Sequence, residues 1–463
     1  MRHYFNVSLL SFTPVWPDEV DYWHQVATFR TVGFAGGIYG VGEAEAKLSF
    51  IHFGSHGPAF PMLMAGVSAI AGWRPFSGPL INLTLLGAAI FGYLAWIRAG
   101  WGKATLTGAL VLTFWPVMVY LPSTMQESVN QALAIALAGP FFLLIRRGPH
   151  ASRTVYATAV ALLALASLLR PTWAPLFLAL FFLRGATLTG RQLTWAIFKT
   201  IPIIVAAFGL WNAAVTPYPG FVSQLTEAAG RSPLVGVKLL LLHFWSNAQA
   251  LAKGHPLELA LRVALLAITV TAAVSVVRRL RRSSAHRHED LAAGAFHLFN
   301  LVLPLALMMG LHNTFGWHDF RVLGAHVLLS VLVALARSEF IVMIATLTAN
   351  LLVIGAVGLA FSEIHRLNFM PVDPKTVALG HHIMYKRDVS VWDNTLMVDF
   401  PNFGPGLVNV PAGVGLSLLK EGIDRPIRSR YLLITDETAR KIGVDRLQLL
   451  ATTAKGNLYL RKY

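Results

Sequence analysis

Long apolar runs leave this chain few ways to fold. Phe76–Ile97, Trp195–Val215 and Phe340–Phe361 each reach the roughly 20 residues that a helix needs to cross about 30 Å of hydrocarbon. Inside lipid every backbone amide and carbonyl must find its partner within the protein, so only helices or closed barrels span a membrane. The short alternating segments of a barrel are missing from the sequence. Together with shorter apolar runs, the pattern predicts an all-α polytopic membrane protein of about eleven spans. Composition points the same way: 55% of the 463 residues are hydrophobic and 13% charged, against about 25% charged in soluble domains.

The net charge of +16 does not make a nucleic-acid face, because the basic residues sit in clusters between apolar runs. Arg98 with Lys103, Arg146–Arg147 with Arg153, Arg184 with Arg191, the block Arg278–His288, and Arg337 read as cytoplasmic loops. With these inside, the spans alternate and two apolar stretches fall out of the count. Val235–Ala252 fits an interfacial helix, and Pro58–Trp73 an outer-leaflet segment. No internal repeat is evident. There is no cysteine, which excludes disulfides, thiolate nucleophiles and zinc-thiolate sites. Residues 1–16 are too short to span, at 1.5 Å of rise per residue, and read as the remainder of a truncated first helix.

This topology collects the polar stretches on one face. Residues 17–57, the turn Pro122–Gln131, the break Leu168–Trp173, the loop His312–Arg321 and the tail all fall outside. Two domains follow: a membrane domain over 1–363, whose first outer loop with its interfacial helices is 17–75, and a small extracytoplasmic α/β domain over 364–463. In the tail, the segments "NTLMVDF", "SRYLLIT" and "NLYLRKY" are prone to form strands.

Three acids, Asp18, Glu19 and Asp21, stand immediately after Pro17. Proline in a first turn with acids behind it is also how a helix begins. Adjacent carboxylates repel, so at least one needs a donor, a cation or a metal beside it to stay ionised. An ionised one can take a proton from an acceptor hydroxyl. Glu127, in "STMQES", opens a later helix on the same side. Arg170, in "LLRPTW", and Arg321, after "HNTFGWHD", are outer-side cations set against apolar sequence, where an arginine snorkels or pairs with an anion. With His318 they make a candidate clamp for a phosphate, and His56 in "HFGSHGPAFP" stands nearby in the same set.

In order and spacing, the early acidic pair, "HGPAFPMLMA", "STMQES" and "LLRPTW" resemble the bacterial GT-C glycosyltransferases, the family of dolichyl-phosphate-mannose and undecaprenyl-phosphate-arabinose transferases. The likeness covers roughly residues 1–340; Gly57 replaces the first proline of the His-Pro-Pro element found in many members. It implies a GT-C-like helical bundle in a bacterial inner (cytoplasmic) membrane, with its active site and C-terminal domain facing the periplasm or exterior. The implied activity is inverting transfer of a hexose or pentose from a polyprenyl-phosphate sugar to an envelope glycan, lipid or protein. Asp18 takes the place of the general base, Glu19 that of its neighbour, and Glu127 that of the second-loop acid. Glu127 and His56 are then candidates for holding the acceptor, a metal or the donor, and Arg170, Arg321 and His318 for the donor phosphate. A divalent cation such as Mg or Mn is helpful for this chemistry without being required. A transporter or lipid flippase, or an envelope glycan polymerase or ligase, stays open as an alternative. The first often carries inverted repeats, and the second needs a lipid-diphosphate donor.

Overall fold

The computed structural model describes residues 14, 16–35, 57–185, 188–214, 221–253, 256–281, 284–311, 320–359, 379–399, 402, 404–419, 427–453 and 456–462. It begins with α1 (Pro17–Val32) and the short apolar α2 (Ala59–Ala71). The bundle follows as α3 (Ser77–Ile97), α4 (Trp101–Thr113), α5 (Trp115–Tyr120), α6 (Gln126–Arg147), α7 (Arg153–Leu169) and α8 (Phe177–Leu183). It continues with α9 (Gly190–Ala214), α10 (Phe221–Arg231), α11 (Pro233–Lys253), α12 (Pro256–Arg281), α13 (Ser284–Leu311), α14 (Phe320–Ala336) and α15 (Phe340–Leu352). Five of these, α3, α6, α9, α12 and α13, contain stretches long and apolar enough to cross a membrane. Five further apolar stretches are shorter, at 10–17 residues, among them Ala59–Ile70, Arg153–Leu169 and Phe340–Leu352.

Two apolar stretches of the sequence are divided. Ala104–Leu121 splits into α4 and α5 at Phe114, whose backbone is extended (φ −68°, ψ 109°). Pro116 at the second position of α5 has no N–H to continue the ladder of α4. Phe340–Phe361 turns at Val353, which caps α15.

Helix α6 is the axle of the bundle: all but three of its 22 residues are buried, whereas α3 buries eight of 21. Small residues let its neighbours close in. At Gly139 an added Cβ would stand 2.5 Å from Cβ of Trp96, so only glycine admits that indole. Tyr93 Oη donates to the carbonyl of Leu332 (2.7 Å), tying α3 to α14.

At the end of α14 opposite Arg321, Arg337 is 9% exposed and is met by three acids: Glu289 (2.7 Å), Asp290 (3.2 Å) and Glu339 (2.7 Å). Four charges so close to hydrocarbon are tolerated because each guanidinium nitrogen has its own carboxylate.

The C-terminal unit is a five-stranded mixed sheet in the order β2-β1-β3-β5-β4. Its strands are β1 (Thr395–Asp399), β2 (Gly415–Leu419), β3 (Tyr431–Ile434), β4 (Leu447–Thr452) and β5 (Asn457–Arg461). The three strand-prone segments of the tail are β1, β3 and β5. All five residues of β1 are buried, because both faces of the sheet are covered and successive side chains alternate between them. Leu396 and Val398 face a cluster that includes Val20 of α1. Met397 faces Ala439, on a helix spanning Asp436–Ile442. Helix α1 is therefore part of the apolar core of the C-terminal unit.

Arg337→Ala leaves Asp290 and Glu339 buried without their cation. The expected cost is about 3–5 kcal/mol, read as a fall in the midpoint of thermal unfolding of the detergent-solubilised protein; an unchanged midpoint shows that the cluster does not brace the bundle.

Candidate active site

The residue before α1, Trp16, is extended, and the helix it starts sends its first acids in different directions. Glu19 is fully buried. One of its oxygens reaches back to the Trp16 amide (3.2 Å), as the acid of a capping box does. The other accepts from the amide of Thr124 (2.7 Å), fastening the start of α1 to the turn that leads into α6. Asp18, one position earlier, points elsewhere, since consecutive helical residues do not share a face. Its carboxylate accepts from Nη2 of Arg321 at 2.8 Å, and its side chain is 41% exposed.

Arg321 does not serve Asp18 alone. Its Nε lies 3.2 Å from Oε1 of Glu127, and the same Oε1 accepts from Nη2 of Arg170 at 2.8 Å. The four residues form an unbroken chain of alternating sign, Asp18–Arg321–Glu127–Arg170. Each comes from a different element: Asp18 from the first turn of α1, Arg321 from that of α14, Glu127 from that of α6, and Arg170 from the cap of α7. Arg170 is extended (φ −151°, ψ 112°) because Pro171 follows it. The resulting break, a 3-10 turn over Pro171–Leu176, aims the guanidinium across the bundle.

Beneath this chain lies a neutral polar layer. Trp173 donates from Nε1 to Oδ1 of Asn130 (2.8 Å) and lies against the ring of His326, 4.0 Å between centroids. His326 donates from Nδ1 to Oδ1 of Asn300 (2.9 Å), which in turn donates to Oγ of Ser330 (2.8 Å). Within the two layers Oε2 of Glu127, Nη1 of Arg170 and Nε2 of His326 are buried without a partner among the described residues. Buried polar atoms in this state call for water or for the polar groups of a ligand.

Of the residues singled out in the sequence, the structure thus brings Asp18, Glu127, Arg170 and Arg321 together and occupies Glu19 with backbone amides. His56 and His318 lie outside the described residues. Asn130 and His326 were not singled out. A lone histidine in the apolar run of α14 carries little weight by itself, although its place five residues after Arg321 was a signal. Among the described residues no three His, Cys, Asp or Glu side chains converge to hold a metal ion. The two acids of the chain are each engaged by a guanidinium through one oxygen, Oδ2 of Asp18 and Oε1 of Glu127.

One acid outside the chain behaves differently. Asp21, one turn beyond Asp18 on α1, is 8% exposed. Burial, reinforced by the Asp18 carboxylate, pushes its carboxyl up to about 7, against a hydrogen bond from Gln25 that favours ionisation. On the next turn, His24 is buried and donates from Nε2 to the carbonyl of Val414 in the C-terminal unit (2.6 Å). Burial holds this imidazole neutral, down to about 4.

By sequence the chain matches no family model and no curated protein. By structure it matches a crystal structure of ArnT from Cupriavidus metallidurans bound to undecaprenyl phosphate. The TM-score is 0.51 at 11% sequence identity, over 98% of this chain and 95% of that one. The chain has the fold of ArnT. The apo crystal structure of the same protein gives a TM-score of 0.40 at 11% identity over the same shares of both chains. The fold is the one that the resemblance to GT-C transferases implied. At this identity the likeness is one of architecture, and the chemistry has to be argued from the ion chain.

The raised Asp21 has a stability consequence. The folded protein holds a proton that the unfolded chain, with the ordinary value of 3.8, releases in the same range. The stabilisation is full below about pH 4 and is lost as pH rises through about 7. Asp21→Asn is expected to flatten the dependence of the unfolding midpoint on pH across that window; an unaltered slope in a titrated thermal-shift series shows that Asp21 does not hold the proton.

Proposed function

We propose that this protein is an inverting glycosyltransferase that moves a sugar from a polyprenyl-phosphate donor to a cell-envelope acceptor at the outer face of a bacterial cytoplasmic membrane. About eleven spans and an external C-terminal domain complete this reading. The observation that carries it is the chain Asp18–Arg321–Glu127–Arg170, which sets a partly exposed carboxylate beside two guanidinia at one end of an apolar bundle. The fold adds support, because the ArnT structure that it resembles is one bound to undecaprenyl phosphate.

The chemistry follows from the charges. Direct displacement at an anomeric carbon needs a base for the incoming hydroxyl and positive charge for the departing phosphate. Asp18, the more open of the two acids, takes the proton as the acceptor oxygen bonds to the anomeric carbon. The bond from that carbon to the phosphate oxygen breaks, and its electron pair leaves with the polyprenyl phosphate. Arg321 and Arg170 neutralise that oxygen. Glu127, held between them, keeps both guanidinia in place while the phosphate is away. Glu19 is a positioning residue in this scheme, fixing the start of α1. His56 and His318 keep their proposed roles toward acceptor and donor.

Asp18→Asn removes the base but keeps the shape. With a radiolabelled polyprenyl-phosphate sugar in proteoliposomes, turnover is expected to fall about 10²–10⁴-fold; activity near that of the parent in a folded variant removes Asp18 from the role. Net transport of lipid or sugar without any glycosyl product removes the transferase reading itself.

Arg321→Lys keeps one charge and loses the planar fork that reaches two acids. The apparent KM for the donor is expected to rise more than that for the acceptor. Equal changes in both place Arg321 in the architecture rather than at the phosphate.

A further inference from the structure

The neutral layer beneath the ion chain is built onto it residue by residue. Asn130 follows Glu127 by one turn of α6, donates from Nδ2 to the carbonyl of Gln126 (2.9 Å) and accepts from Nε1 of Trp173 (2.8 Å). Trp173 in turn follows Arg170, whose carbonyl accepts its backbone N–H (3.1 Å). His326 is fully buried and lies against the Trp173 ring. The hydrogen bonds around it also fix which of its nitrogens carries the proton. The amide of Asn300 directs both of its hydrogens elsewhere, one to the carbonyl of His326 (2.7 Å) and one to Oγ of Ser330 (2.8 Å). Its Oδ1 therefore meets Nδ1 of His326 (2.9 Å) as an acceptor. Nδ1 carries the proton of the neutral ring, and Nε2 is left as a lone-pair acceptor.

Three buried atoms at this junction have no partner among the described residues: Nη1 of Arg170, a donor, and Oε2 of Glu127 and Nε2 of His326, both acceptors. Oε2 and Nη1 belong to the two groups already joined at 2.8 Å through Oε1 and Nη2, and His326 lies within electrostatic reach of Arg170. A phosphate oxygen does not suit all three, because two acceptors facing an anion repel it. One water does: it accepts from Nη1 and donates to Oε2 and Nε2, the three bonds that a buried water typically makes.

We propose that His326 is a positioning residue for the donor phosphate, acting on Arg170 through one internal water held between Nη1, Oε2 of Glu127 and Nε2. The role rests on the transferase reading, in which Arg170 neutralises the departing phosphate. Anchored at Nη1 from beneath and at Nη2 by Glu127, the planar guanidinium is fixed in orientation and keeps its remaining N–H groups for the phosphate oxygens. Asn300 sets the tautomer that makes Nε2 an acceptor, and Trp173 packs the ring in place.

Equilibrium binding tests the proposal without turnover. The full chain in phosphatidylcholine nanodiscs is titrated with a fluorescent polyprenyl phosphate and with the corresponding polyprenol, so that the ratio of the two affinities reads the phosphate contact alone. His326→Asn keeps an amide donor for Oδ1 of Asn300 and removes Nε2, whereas His326→Gln extends an acceptor to the level of Nε2. The preference for the phosphate is expected to fall about tenfold in His326→Asn, a difference of about 1.4 kcal/mol, and to return in His326→Gln. Arg170→Gln is expected to lower it as well, and His326→Asn/Arg170→Gln no further than Arg170→Gln alone, because residues that act through one contact are not additive. A preference unchanged in folded His326→Asn overturns the proposal, as do losses that add in the double variant or a loss that His326→Gln does not restore. Should His326→Asn lose its thermal unfolding transition and bind both probes poorly, with His326→Gln no better, His326 belongs to the packing of the bundle and the proposal fails. A parent protein that binds the two probes equally overturns the transferase reading along with it; every other outcome leaves that reading standing.

Discussion

A carboxylate buried at the end of an apolar bundle has to be neutralised where it stands. Glu127 is 1% exposed, and taking such a charge out of water costs several kcal/mol unless a partner meets it with good geometry. Arg170 and Arg321 both do so, and Arg321 in turn meets Asp18. Because each member of the chain belongs to a different element, this requirement fixes α1, α6, the end of α7 and the start of α14 against one another. Arginine suits the central position: a rigid fork of five donors serves two acids at once, which an ammonium on a flexible stem does less well.

Helix α1 is the second structural consequence. Its first turn carries Asp18 into the ion chain and Glu19 onto the amides of Trp16 and Thr124. Its body places Val20 in the core of the C-terminal sheet and His24 on the carbonyl of Val414. One element of sixteen residues thus joins the proposed reaction centre to the C-terminal unit. The buried Asp21, between these two engagements, makes the helix sensitive to pH near neutrality. At the far end of α14, the cluster around Arg337 repeats the same principle with opposite stoichiometry, three acids to one cation. The apolar length of α14 separates the two groups by roughly 24 Å, sixteen residues at 1.5 Å each.

The apolar runs made the helices legible, and the strand-prone pieces of the tail announced β1, β3 and β5, because the periodicity and length of apolar sequence are local properties. Helix breaks were less legible. Pro171 marked one correctly, whereas Pro116 and the turn at Val353 divided spans that hydropathy alone ran together. An average over twenty residues registers grease and misses a single absent N–H.

The sequence by itself determined that the chain is a helical membrane bundle with a small C-terminal sheet, and that acids and arginines are present outside its apolar runs. It could not determine which way each of those side chains points. Asp18 and Glu19 are neighbours of the same charge, yet one joins Arg321 and the other caps its own helix and pins a loop 105 residues away. Only the tertiary structure decided this, because hydrogen-bond direction depends on the elements that pack around a side chain. Those elements come from hundreds of residues apart, where no local pattern reaches.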